Sequence, residues 1–241
     1  MLYFRHQVRR FVILMQGREG STYVVEALDS HPAVRAAGER LPGLKEQGAH
    51  AQLQWVRRFL TPPLLGRSRA IGFKTKLVDV LDPGRFADML VRMQVSVIWL
   101  QRRNLVKQVI SWINARRLYE ARGDWQLYDE RDRLSPPTIG VEEFRRKLEK
   151  GEEQRRCTEA FVDGLPLPVL SVFYEDLLVD QQTTFEQTFR FLGVPYRPVQ
   201  GRTLKVTSDD LRQAIANFGQ LRAQYVGTQY ESMFDEILPG A

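Results

Sequence analysis

Apolar residues gather in short runs punctuated by glycine, proline and charge, and these runs alternate with longer stretches where apolar positions recur at helical spacing. Residues 11–16 form a nearly continuous apolar run closed by Gly17, which predicts a strand buried on both faces. A helix is expected from Ser21, with Val24, Val25 and Leu28 on one face and His31-Pro32 ending it. Residues 70–74, 95–100 and 168–174 read as further strands. Residues 104–119 read as a helix striped by Val106, Val109, Ile110 and Ile113. A charged amphipathic helix is expected over 141–162. Another covers 183–192, with Phe185, Phe189 and Leu192 toward the core and Gly193 as its cap. Residues 211–225 read as a last helix, and 41–66 and 123–140 as long loops suited to lid or acceptor-binding roles.

Strands alternating with helices imply a single three-layer α/β/α domain around a central parallel sheet. In such sheets ligands bind beyond the carboxyl ends of the strands. The chain's 241 residues suffice for one full core without staples. Cys157 is the single cysteine, so no internal disulfide forms and nothing calls for an oxidising compartment. The early apolar run is too short for a membrane span, which makes the cytoplasm the expected location. The formal charge of +6 suits a polyanionic ligand without choosing one. No nucleic-acid-binding motif accompanies the basic clusters.

Two segments carry candidate chemistry. Gln16-Gly17-Arg18-Glu19-Gly20-Ser21-Thr22 joins the first strand to its helix, where free backbone N–H groups and the helix dipole attract an anion. Arg18 adds a charged fork, and Ser21 and Thr22 add hydroxyls. A Walker A loop needs lysine directly before Ser/Thr, and here that position is Gly20. The alternative is a glycine-containing turn with a helix cap. The second segment runs from Leu100 to Ser111. Arg103 sits at a helix mouth and Ser111 follows eight residues later, slightly over two turns on, so both could reach one phosphate; a basic loop and a surface serine would look the same.

Together these segments resemble the PAPS-dependent sulfotransferases, which take their sulfuryl group from 3′-phosphoadenosine 5′-phosphosulfate (PAPS). Gly17-Arg18-Glu19-Gly20-Ser21-Thr22 is similar to the family's 5′-phosphosulfate loop, and Arg103 with Ser111 to its 3′-phosphate motif, although Asn104-Leu105 stands where Asp-Pro is usual. Ser30-His31-Pro32, Gly38-Glu39, the stretch from Val172 to Leu178, Phe191 to Pro195 and Asn217 to Tyr230 extend the likeness, which is nearest to bacterial carbohydrate-type members such as the trehalose and heparan-type enzymes.

The resemblance implies a P-loop-like sulfotransferase fold, PAPS as co-substrate without a metal, and a hydroxylated small-molecule or glycan acceptor. Arg18, Glu19, Gly20, Ser21 and Thr22 would hold the phosphosulfate, and Arg103 and Ser111 the 3′-phosphate. Arg202 and Lys205 flank a stretch that in similar enzymes closes over the nucleotide. Glu39 is the implied general base, with His31 or Glu46 next in line. Lys74 would neutralise the bridging oxygen of the leaving group, whereas Lys76 reads as an exposed strand-end residue. Glu175 and Asp176 imitate a Walker B pair but read as structural. Trp125 and Tyr128 would stack on a sugar or anchor their loop. A P-loop kinase of small molecules and a non-catalytic nucleotide- or glycan-binding module are the rival readings.

Overall fold

The computed structural model describes residues 8–62, 68–199, 201 and 207–238. β1 (Arg9–Leu14) leads through the Met15–Gly20 turn into α1 (Ser21–Asp29). There follow β2 (Val34–Ala37), α2 (Gly48–Phe59), β3 (Ala70–Thr75), α3 (Pro83–Arg92), β4 (Ser96–Gln101) and α4 (Leu105–Arg122). The rest is α5 (Val141–Asp163), β5 (Val169–Phe173), α6 (Tyr174–Val179), α7 (Gln181–Phe191), α8 (Leu211–Ala214), α9 (Phe218–Ala223) and α10 (Glu231–Asp235).

The strands form one five-stranded sheet in the order β2-β3-β1-β4-β5, every pair parallel. β1 is central and therefore covered on both faces. Phe11 and Ile13 pack with α1 and α7, whereas Val12 and Leu14 point the opposite way, toward α2, α3 and the end of α5. This is why the run reads as continuously apolar rather than alternating. Two helical layers thus enclose the sheet, and the expected α/β/α architecture is present. A separate cluster of Val106, Ile110, Phe144, Leu221 and Phe234 joins α4 to α5 and the C-terminal helices. It extends beyond the layers and backs the segment that follows β4.

One strand was not expected, and two expectations differ from what is observed. Residues 34–37 form an edge strand bonded only to β3; Val-Arg-Ala-Ala carries too little apolar pattern to announce it. Much of the 41–66 stretch is helical rather than loop. α2 is held by a buried polar anchor, Gln52, whose Nε2 donates to Leu41 O and Asp79 O, each at 2.8 Å, while its Oε1 accepts from Leu81 N at 2.9 Å. The helix expected over 211–225 is broken into α8 and α9. Asn217 exchanges two hydrogen bonds with the backbone of Ile139, each 2.9 Å, and this pairing replaces helix continuation. Residues 123–140 are irregular apart from one short helical turn at Glu130–Asp132. Among the described residues no helix is long and apolar enough to cross a membrane.

Candidate active site

β1 sits where the strand order reverses, and the crevice at its carboxyl end is the expected ligand position. Gly20 caps α1 with a left-handed φ of 74° and has no side chain to satisfy the helix N–H groups, and the first turn carries no acid. A Cβ at this position would lie 2.7 Å from the Tyr174 ring, so the close backbone approach demands glycine. The mouth of α1 is therefore an uncapped, positively polarised end.

Lys74 reaches this mouth from β3. Its Nζ donates to Thr22 Oγ1 at 2.8 Å and Ser21 Oγ at 3.2 Å. The same Nζ is 3.6 Å from a Glu39 carboxylate oxygen, and Lys76 Nζ is 2.9 Å from the other. Burial pulls the Lys74 ammonium below its ordinary pKa; Glu39 opposes this, whereas Lys76 and Arg18 reinforce it. Glu39, Lys74, Ser21 and Thr22, drawn from three segments distant in sequence, thus meet in one chain of contacts. Lys76 is not a free strand-end residue, because it bridges Glu39 and Asp79, the latter at 3.2 Å.

Arg18 carries the loop's second unusual backbone, a left-handed φ of 70° on a residue that is not glycine. Such a conformation costs about 1–3 kcal/mol unless its surroundings impose it. They do so here. Arg102 Nη1 donates to Arg18 O at 3.2 Å, and the Arg18 side chain donates to Ser111 Oγ at 3.3 Å and Trp125 O at 3.1 Å. Burial and the neighbouring Arg102 lower the Arg18 pKa to about 10, which leaves it cationic at neutral pH. Arg102 is itself buried and stacks over Tyr174, its guanidinium carbon 4.6 Å from the ring centre. The Tyr174 ring thus has Gly20 against it and Arg102 stacked on it.

Arg103 faces outward. It forms a bidentate pair with Asp176, at 2.6 and 2.9 Å, and covers the Phe173 ring at 4.0 Å. Glu175 is buried and accepts the backbone N–H groups of Arg103 (3.0 Å) and Asn104 (3.2 Å), which fixes the turn out of β4. No hydrogen bond joins Arg103 to Ser111; the serine lies on the Arg18 side of the crevice. Arg202 and Lys205 lie outside the described residues. His31 is a structural residue: its Nδ1 accepts from Ala33 N and its Nε2 contacts Pro195 O, both at 3.1 Å, so both ring nitrogens are occupied. Among the described residues no group of three or more His, Cys, Asp or Glu could hold a metal ion.

Arg102, Tyr174 and Gln108 were not singled out from the sequence. Of the adjacent arginines, only the sheet shows which turns inward, and nothing local marks Tyr174 as the neighbour of Gly20.

The chain is 25% identical to Nodulation protein H of Rhizobium tropici over 238 residues, covering 93% of this chain and 92% of that protein. It is similar to Nodulation protein H nearly end to end. The Rhizobium meliloti protein of the same name is 24% identical over 244 residues, with 94% and 95% covered. A crystal structure of a sulfotransferase from Alicyclobacillus acidocaldarius aligns with a TM-score of 0.48 at 17% identity, covering 95% of this chain and 97% of that one. No protein-family model matches.

Proposed function

We propose that the chain is a PAPS-dependent sulfotransferase that moves a sulfuryl group to a hydroxyl of a glycan, glycolipid or small metabolite. One observation carries this reading: the Lys74 ammonium contacts both hydroxyls of the anion loop and the Glu39 carboxylate. Transfer to a hydroxyl needs an anion cradle for the donor and, beside it, a base for the acceptor, and Lys74 links the two. The cradle fits a phosphosulfate. It offers the α1 mouth, the Ser21 and Thr22 hydroxyls and the cations of Lys74 and Arg18.

In the reaction the acceptor oxygen attacks sulfur, and the bond from sulfur to the bridging phosphate oxygen breaks. Glu39 takes the acceptor proton. Lys74, Arg18 and the helix end stabilise charge gathering on the leaving phosphate, where fixed donors count most. Arg103 and Ser111 serve the 3′-phosphate, and Arg103 exchanges Asp176 for it. The acceptor enters beside Glu39, over α2 and the 123–140 loop. A cytoplasmic setting goes with this reading.

The kinase alternative is weaker on the same geometry. The loop has no lysine before Ser21. Neither acid of the Walker B-like pair is free to hold a metal: Glu175 accepts two backbone N–H groups and Asp176 is paired to Arg103. Incubation with radiolabelled PAPS and a panel of hydroxylated glycans and metabolites tests the reaction. Label should appear on an acceptor together with stoichiometric adenosine 3′,5′-bisphosphate. Phosphoryl transfer from Mg·ATP to the same panel, with no transfer from PAPS, would overturn it.

A further inference from the structure

Arg102 is buried without a counter-ion. It is 8% exposed, and a guanidinium taken out of water needs an anion to balance it. Among the described residues no Asp or Glu lies within ion-pair distance of it, and the other residues of the chain include no Asp or Glu. Its neighbour Arg103 takes Asp176 instead. Glu19 faces Arg102 from beyond ion-pair distance, and its carboxylate already accepts from the Gln16 N–H at 2.7 Å and from Gln108 Nε2 at 3.1 Å. Arg155, from α5, adds more positive charge: its Nη2 donates to Arg102 O at 2.6 Å.

The group is also incompletely bonded. Nη1 donates to Arg18 O and the guanidinium stacks on Tyr174, but the buried Nε–H has no acceptor among the described residues. An unpaired donor is most costly on a charged group. These costs gather beside the anion loop. Arg102 holds the carbonyl of Arg18, the residue with the left-handed φ of 70°, and shares the Tyr174 ring with Gly20, the cap of α1. Among the described residues Arg18 has no ion-paired carboxylate either, so the two guanidinium groups repel each other until an anion joins them.

We propose that Arg102 is a positioning residue of the donor site: it fixes the Arg18 turn, and the bound 5′-phosphosulfate is the counter-ion that its buried charge lacks. The inference rests on the functional reading above and adds a second buried guanidinium, beside Arg18, to the 5′ side of the donor. In the free protein the charge is a burden, and in the complex it strengthens binding. A residue that only propped the turn would instead stabilise the free protein and be indifferent to the ligand's charge.

Calorimetric titration of adenosine 3′,5′-bisphosphate, with melting of the free protein, tests this in wild type, Arg102→Met, Arg102→Gln and Arg102→Lys. The first two remove the charge, and having both guards against a folding failure in one. Lysine keeps the charge and a donor for Arg18 O. The neutral variants should bind the bisphosphate on the order of tenfold or more weakly, and Arg102→Lys at least about fivefold more tightly than Arg102→Met. Free Arg102→Met should melt within about 3 °C of wild type or above it, since loss of an unbalanced charge offsets the lost hydrogen bond. Binding within about threefold of wild type in both neutral variants would overturn the proposal. So would equal losses in Arg102→Lys and Arg102→Met together with a lowered melting temperature, which is the mark of a prop alone. Those outcomes leave the functional reading standing. A wild type that does not bind the bisphosphate at all overturns that reading, and this inference falls with it.

Discussion

Glu39→Gln is expected to reduce turnover on the order of a hundredfold or more, with bisphosphate affinity held within a few-fold of wild type. Glutamine keeps the shape of the side chain and removes its basicity. In the native protein the carboxylate stands between Lys76 and Lys74, at 2.9 and 3.6 Å. The two ammonium groups hold it in place while Lys74 also addresses the loop hydroxyls. The defect should therefore appear in kcat for sulfuryl transfer from PAPS and not in nucleotide binding. A near-native kcat would place the base elsewhere. His31 has no free ring nitrogen to serve, which leaves Glu46 as the residue to examine next.

Lys107→Met should produce the largest loss of stability, about 3–5 kcal/mol, because it removes one partner of a buried ion pair. Lys107 is 2% exposed, and its Nζ lies 2.9 Å from Asp209 and 3.7 Å from Glu236. Asp209 also accepts the Leu238 N–H at 2.8 Å, and Asn104 donates to Glu236 at 2.6 Å. This network bolts the C-terminal segment to the start of α4, one turn beyond Arg103. Methionine fills the space of the aliphatic stem and leaves Asp209 without its cation. Denaturant unfolding measures the difference. A loss below about 1 kcal/mol would mean that water replaces the ammonium and that the network is not a structural bolt.

The central strands and the anion loop were legible in the sequence because one physical cause dominates each. β1 is covered on both faces and so is uniformly apolar. The loop must turn tightly from strand to helix, with Gly20 at a left-handed φ of 74°, and glycine beside Ser-Thr marks it. α7 was equally readable, since Phe185, Phe189 and Leu192 repeat at helical spacing and Gly193 takes the left-handed cap at φ 69°. β2 was hidden because an edge strand of four residues needs little apolar content. α2 was hidden because the polar Gln52 anchors it. α3 had its signal, with Asp82 accepting from Arg85 N at 3.0 Å ahead of Pro83, but its own apolar stripe is short.

Within the site, the sequence named Arg18, Glu39, Lys74, Ser21 and Thr22 without revealing that Lys74 joins them. That contact depends on β3 lying beside β1, and sheet order is a non-local property. The spacing of Arg103 and Ser111 matched two helical turns, yet Arg103 leaves the strand before the helix begins. Its direction is set by Phe173 at the end of β5 and Asp176 in α6, which lie far from it in sequence.

The donor class is the central claim, and a calorimetric comparison of adenosine 3′,5′-bisphosphate with Mg·ATP tests it without requiring a known acceptor. The bisphosphate should bind at least about tenfold more tightly than Mg·ATP, and Arg103→Ala should weaken the bisphosphate alone, by about 2 kcal/mol, through loss of a charge-assisted contact. Tighter binding of Mg·ATP, with bisphosphate affinity unchanged in Arg103→Ala, would contradict the account.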